Sequence, residues 1–195
     1  RYFLVCTILL EDCSIGDGLL ALRRDMVWRG LPVRECFHAT EDKNEVRKEV
    51  YDYIAKHDFR VDVTLLEKSK AQPQTRVSQD AFYKYAWYYH LKHLAPTLLK
   101  GKTEAYITAA ALGTHKGQAV YTAAVNDVLQ QTIQRQQWAT FFPRAVAEPC
   151  LQVADYCAWA VQRKWERGDA SWFNLIQEKV VTEYDLWRLG KTHYY

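Results

Sequence analysis

Strand-like and helix-like stretches alternate along nearly the whole chain, and that alternation constrains the fold more than any other feature. Residues 2–10 (YFLVCTILL) are β-rich and apolar on both faces, as in a strand covered on both sides. Gly16 and Gly18 break the chain. Leu19, Leu22, Met26 and Trp28 then recur at helical spacing up to Gly30. Residues 34–39 (RECFHA) read as a short extended segment. Thr40 is a suitable N-cap, without a capping box because Lys43 stands three positions on. The helix it opens carries Val46, Val50, Tyr53 and Ile54 on one stripe, ending near Lys56.

Residues 59–66 (FRVDVTLL) alternate like a strand, and the polar stretch 68–77, with Pro73, reads as a loop. Residues 82–94 form an aromatic-rich helix that Pro96 kinks or interrupts. Residues 104–112 (EAYITAAAL) read as a strand, 113–117 as a turn, 120–134 as a helix and 138–142 as a short strand. Pro149 opens a helix at its first position, Gly168 stops it, and a last helix covers about 172–188. The order predicts an α/β fold, a sheet flanked by helices. No repeat or linker breaks it, so residues 1–195 read as one domain.

Composition narrows the class. Hydrophobic residues are 49% and charged residues 25%, which excludes a disordered chain. Lys and Arg number 26 against 23 Asp and Glu, a mild positive excess that permits a nucleic-acid partner without requiring one. The apolar runs fall short of the roughly 18 residues of a membrane span. Residues 1–10 lack a signal cleavage site and run straight into Glu11 and Asp12. Cys6, Cys13, Cys36, Cys150 and Cys157 are an odd count with no C-x-x-C pair, so neither a zinc knuckle nor a disulfide framework is suggested. Free thiols fit a reducing, cytoplasmic setting. The chain starts at Arg1, without Met and inside a strand, and reads as the downstream part of a longer frame.

The most informative segment is residues 148–165 (EPCLQVADYCAWAVQRKW). Between Leu151 and Val161 only Gln152 and Asp155 are polar, which predicts a buried helix. A carboxylate there must be paired, hydrogen-bonded or bound to a cation. Asp155 is then either a structural acid, bonded to a backbone N–H or an Arg, or a divalent-metal ligand, with Gln152 on its face. His38 ends the extended segment, where α/β sheets place ligand crevices, so it is a candidate for proton transfer or phosphate binding as well as for capping or packing. Glu35, Glu41 and Asp42 around it read as helix-dipole partners. Cys36, two residues away, would share a strand face with His38 as a nucleophile pair, although nothing in the sequence orients the imidazole.

Two further stretches suggest nucleic acid. Residues 82–93 (FYKYAWYYHLKH) interleave rings with Lys84, His90, Lys92 and His93, a pattern suited to a single strand. The competing reading is a core stripe of Phe82, Tyr85, Ala86 and Tyr89. Thr114, His115 and Lys116, between Gly113 and Gly117, form a turn that presents N–H groups to an anion, without Walker spacing. G-x-S-x-G, H-E-x-x-H and G-x-G-x-x-G are absent from the sequence.

Residues 151–169 (LQVADYCAWAVQRKWERGD) resemble the C-terminal signature of a large microbial family, domain of unknown function 3800, with its Leu-Gln-x-Ala-Asp helix and following basic run. Residues 34–54 resemble its Phe-His-Ala segment and next helix, and residues 1–12 its second strand. The resemblance implies a prokaryotic protein with a ribonuclease H-like mixed sheet of five strands and acids gathered around divalent metal. It places Asp155 at the family's C-terminal acid and His38 at the His of Phe-His-Ala. The family's first strand, with an acid in Asp-Glu-Ser-Gly, has no counterpart here, so Asp155 is the one metal ligand placed.

The function expected from this is a Mg²⁺- or Mn²⁺-dependent nuclease. Asp155 serves as a metal ligand, His38 stands near the scissile phosphate, and Lys84, Lys92, His115 and Lys116 contact nucleic acid. Two metals about 4 Å apart need more acids than one. The alternatives are a non-catalytic nucleic-acid-binding module, and an interaction protein of a mobile-element or defence-type operon, self-associating or partner-bound. In the last case the seven Trp and thirteen Tyr serve as interface material.

Overall fold

The middle strand of the main sheet explains much of the architecture. Arg60–Glu67 (β2) is buried at every position from Val61 to Leu66. Its alternation of apolar and polar residues is not an alternation of core and solvent, because Asp62 and Thr64 are as enclosed as Val61 and Val63. Both faces are covered, and the polar side chains are satisfied from within. Asp62 accepts two hydrogen bonds from Arg60, from Nε at 2.7 Å and Nη2 at 2.9 Å. Thr64 Oγ1 hydrogen-bonds His90 Nδ1 at 2.8 Å.

The computed structural model describes residues 2–102, 104–110, 115–132 and 137–189, with side chains at all of these but 115–118, 120 and 137. Around β2 the chain runs as β1 (Tyr2–Leu9), α1 (Ser14–Trp28), α2 (Asn44–Ile54), α3 (Gln79–Leu98), β3 (Glu104–Thr108), α4 (His115–Thr132), β4 (Gln137–Phe141), α5 (Pro149–Arg167) and β5 (Val180–Asp185). This is an α/β architecture. The described strands form a mixed three-stranded sheet, ordered β1-β2-β5, and a parallel pair, β3 with β4, in which Glu104 faces Gln137 and Thr108 faces Phe141. A parallel pair cannot be closed by a tight turn, and α4 supplies the crossover. The five strands expected in one sheet are thus divided between two among the described residues.

The chain groups into two compact units. One comprises Cys6–Val63 and Arg144–Glu183. In it α1 packs on α2 and α5, around a core that includes Leu19, Met26, Val46, Val50, Tyr51, Ile54, Tyr156 and Val161. The other comprises Arg1–Val5, Thr64–Pro143 and Tyr184–Tyr195. There α3 packs along α4 through Tyr83, Leu91, Ala95, Val125, Val128 and Leu129. On a second side α3 meets Leu66, Leu186 and Trp187 through Ala86, with Phe82, Tyr85 and Tyr89 around them. The expected stripe of Phe82, Tyr85, Ala86 and Tyr89 is therefore one packed side of a helix enclosed on two, and the most buried line runs through Tyr83, Ala86, His90 and Leu94.

Several local expectations change. Gly16 and Gly18 do not break the chain but lie inside α1, at points of close approach. A Cβ at Gly16 would stand 3.0 Å from Cys150 Sγ, and one at Gly18 would collide with the Tyr53 hydroxyl. Thr40 caps nothing, since Lys43 is the N-cap of α2. The polar stretch 68–77 contains two 3-10 turns, Lys68–Lys70 and Pro73–Arg76. Pro96 lies inside the last turn of α3 without ending it. α4 begins at His115, within the expected turn, whose residues 113 and 114 lie outside the described residues. The helix expected over 172–188 is instead two 3-10 turns, Phe173–Leu175 and Gln177–Lys179, followed by β5. The β-branched run Val180, Val181, Thr182 favours the pleated chain. Residues 34–39 are irregular, for a reason that belongs to the site.

Candidate functional site

The centre of the site is α5 and the loop it holds. α5 starts at Pro149, with the Glu148 side chain accepting the Cys150 N–H at 3.3 Å, and ends on Gly168 in the left-handed conformation, φ 67°. Its buried stripe is Gln152, Val153, Tyr156, Cys157, Ala160 and Val161. Asp155 stands at the edge of that stripe, with its side chain 36% exposed.

Three consecutive backbone N–H groups of the segment Phe37, His38, Ala39 are each taken by a side chain. Phe37 N–H donates to Gln152 Oε1 at 3.1 Å, His38 N–H to Asp42 Oδ2 at 2.8 Å, and Ala39 N–H to Asp155 Oδ2 at 2.8 Å. Tyr156 donates its hydroxyl to Asp42 Oδ2 at 2.6 Å. Burial holds the Tyr156 phenol far above its usual pKa, and Asp42 adds to that shift, so the hydroxyl stays a donor. Gln152, Asp155 and Tyr156, three and four positions apart on one helix face, thus grip the loop directly and through Asp42. This explains why residues 34–39 are not a strand: the donors a neighbouring strand would use at 37–39 are already bonded to side chains.

The loop alternates inward and outward. Phe37 and Ala39 are buried, Phe37 edge-on to the Tyr156 ring at 6.5 Å, while the His38 side chain is 45% exposed. His38 Nδ1 donates to Asp155 Oδ2 at 2.8 Å; a carboxylate only accepts, so the proton sits on Nδ1 and Nε2 is left as the reactive nitrogen. Partial burial works against charging the ring. The hydrogen bond that His38 donates to Asp155, the charge of Asp155, and those of Glu41 and Asp42 outweigh that and raise the His38 pKa.

His38 and Asp155, singled out separately in the sequence, are therefore a hydrogen-bonded pair. The group that orients the imidazole is Asp155, 117 positions away along the chain. Cys36 does not complete a nucleophile pair: burial, then the charges of Glu35, Asp42 and Asp155, push its thiol up and keep it protonated. The cations proposed for nucleic acid are placed differently. Lys84 is ion-paired with Asp127, and Lys92 lies over the rings of Tyr88 and Tyr89 at 5.5 and 5.9 Å. The side chains of His115 and Lys116 lie outside the described residues.

Sequence reasoning missed Asp42, Tyr156 and Arg47 as site residues. Arg47 Nε donates to Ala39 O at 2.6 Å, and its other nitrogens reach Asn44 Oδ1 at 2.7 Å and Thr40 O at 3.3 Å. The available signal was spacing: Asp42 stands four residues after His38, and Tyr156 follows Asp155 in the same helical turn.

Among the described residues the acids around His38 do not gather as the divalent-metal centre implied by the resemblance would require. Asp155 Oδ2 already holds two donors. Glu41 is paired with Arg34, and Asp42 is buried under Tyr156 and the loop. Among the described residues no group of three or more His, Cys, Asp or Glu is disposed to hold a metal ion.

Comparison with family models, with curated proteins and with solved structures returned no match. The chemistry of the pair stands on its geometry alone. No helix among the described residues is long and apolar enough to cross a membrane, and the five cysteines are free.

Proposed function

We propose that the protein is a nuclease, hydrolysing phosphodiester bonds of DNA or RNA, in which the His38–Asp155 pair moves the proton. The observation that carries this is the 2.8 Å bond between Nδ1 and Oδ2, which leaves Nε2 of a half-exposed imidazole as the reacting nitrogen. Neutral His38 takes a proton from the attacking water at Nε2. The imidazolium that forms is stabilised by the Asp155 carboxylate and then protonates the leaving oxygen. Phe37 and Ala39, buried on either side, fix where the ring stands. A phosphodiester as substrate, and a ribonuclease H-like fold, rest on the resemblance of residues 34–54 and 151–169. No step is assigned to Mg²⁺ or Mn²⁺, because the described acids do not gather.

The test is cleavage of labelled single- and double-stranded DNA and RNA in Mg²⁺, in Mn²⁺ and in EDTA. Wild type, His38→Ala and Asp155→Asn are compared, with circular dichroism confirming each fold. Cleavage that both substitutions remove supports the reading. A folded wild type that cleaves nothing removes it.

A second reading has its own observation. Asp155 Oδ2 also holds the Ala39 N–H, a structural task that a non-catalytic nucleic-acid-binding module would need equally. In that case Asp155→Asn lowers stability and no variant changes turnover.

A further inference from the structure

The first turns of α1 and α5 meet through two cysteines that the acid–base chemistry does not use. α1 packs on α5, and the approach is close because residue 16 has no side chain. A Cβ there would stand 3.0 Å from Cys150 Sγ and 3.3 Å from Pro149 Cβ, so the Cys150 thiol lies against the first turn of α1. Cys13 closes that same turn, its carbonyl accepting the Gly16 N–H at 2.9 Å. Cys13 is the N-cap of α1 but makes no side-chain cap hydrogen bond, so capping does not hold its thiol.

The two thiols differ in access. Cys13 is exposed and Cys150 is half-buried, whereas Cys157 is enclosed in the core. Burial, then the neighbouring Cys13 and Glu148, push the Cys150 thiol up to about 12. Both neighbours come within hydrogen-bonding reach of it, and the Glu148 carboxylate also accepts the Cys150 N–H. At neutral pH Cys150 is thus a protonated thiol beside a second thiol that solvent reaches.

We propose that Cys13 and Cys150 form a reversible disulfide, with a small-molecule disulfide as oxidant, that staples the first turn of α1 to that of α5. The step is thiol–disulfide exchange. Cys13 gives its proton to solvent, and its sulfur attacks the oxidant, forming a mixed disulfide and releasing one thiolate. Cys150 then gives up its proton, its sulfur attacks Cys13 Sγ, and the second thiolate leaves. The cysteines lose two electrons, the oxidant gains them, and the two released thiolates take up the two protons. Excess thiol reverses each step. The bond joins positions far apart in the chain, which is where a crosslink restricts the unfolded chain most. It stands at the base of the helix whose Gln152 holds the Phe37 N–H, and it does not depend on the nuclease reading.

The experiment follows the reduced, intact chain in glutathione disulfide, with alkylation of remaining thiols, intact mass and non-reducing peptide maps. The expected product has lost two hydrogens, links the Cys13 and Cys150 peptides, and returns to free thiols in dithiothreitol. Cys150→Ser is expected to stop with glutathione on Cys13, and Cys13→Ser to leave Cys150 as a free thiol. The same incubation in urea is expected to lose most of the linked peptide, because the fold is what brings the two sulfurs together. The oxidised chain is expected to melt about 5 °C or more above the reduced one.

A folded wild type that keeps both thiols, stops at glutathionylated Cys13 or links other cysteines overturns the proposal. Equal linkage in urea removes native proximity as its cause and overturns it too. A linked chain that melts no higher than the reduced chain overturns the staple.

Discussion

Two helices of this protein interleave aromatic rings with cations, and they do so to different ends. In α3 the rings are packed on two sides, and the cations other than the exposed Lys92, which lies over Tyr88 and Tyr89, are occupied inside their own unit. Lys84 pairs with Asp127, His90 bonds Thr64 with no exposure to solvent, and His93 stacks on Tyr184 at 4.0 Å with the rings 10° apart. In α5 the ring of Trp159 is half-buried beneath Arg47 and Arg163, Arg47 has no carboxylate partner among the described residues, and Asp155 one turn earlier holds a half-exposed imidazole. By sequence alone α3 is the richer nucleic-acid motif. The difference teaches that the number of rings and cations along a helix does not say which charges are answered once the chain has packed.

The largest effect that would separate the helices is on turnover. His38→Ala, next to α5, is expected to reduce cleavage roughly a hundredfold or more, the usual worth of a positioned general base. A loss of the same size from Lys84→Ala on α3 would reverse the comparison.

The next effect is on stability. Thr64→Val leaves the buried His90 Nδ1 without its hydroxyl partner and is expected to cost about 1–3 kcal/mol in urea denaturation, with cleavage per folded molecule preserved. Tyr156→Phe removes the 2.6 Å bond to Asp42 and is expected to cost a similar amount, about 1–3 kcal/mol, but also to lower cleavage, because Asp42 holds the His38 N–H. Equal behaviour of the two variants in activity would mean that the loop grip does not serve the site.

A smaller effect lies in pH. Asp155 raises the His38 pKa, so the base Nε2 becomes available only above the unperturbed value near 6.5. The acidic limb of the cleavage profile is expected above that value and to move down in Asp155→Asn. For stability the sign is the opposite. The contribution of protonated His38 is fully present below its unfolded pKa and is lost as pH rises through the raised folded value. A limb that stays in place in Asp155→Asn would show that another group titrates.

The smallest effect is on the surface of α3. Lys84→Ala breaks an exposed pair with Asp127 and is expected to change stability by less than about 1 kcal/mol.

Much of the fold was legible. Residues 2–10 and 59–66 showed their strands, and Pro149 and Gly168 bracketed α5, because each is local chemistry: β-branched and apolar runs, a ring that suits a first helical turn, a residue free to take φ 67°. β5 was overlooked although Val180–Thr182 carry a strand signal, since charged residues on either side also suit a helix. The loop at 34–39 had no local signal, because its backbone is satisfied from a helix more than a hundred residues away.

What the sequence determined by itself was the alternation of elements, and that Asp155 needed a partner and His38 a purpose. An apolar helix cannot hold an acid without cost, and that follows from composition alone. What only the tertiary structure decided was that each answers the other, and that among the described residues Lys84 finds a carboxylate and Arg47 does not. Pairing is a property of distance in space. No residue's own chemistry, nor its spacing from its neighbours in the chain, says which charge will find its counterpart once the chain has packed.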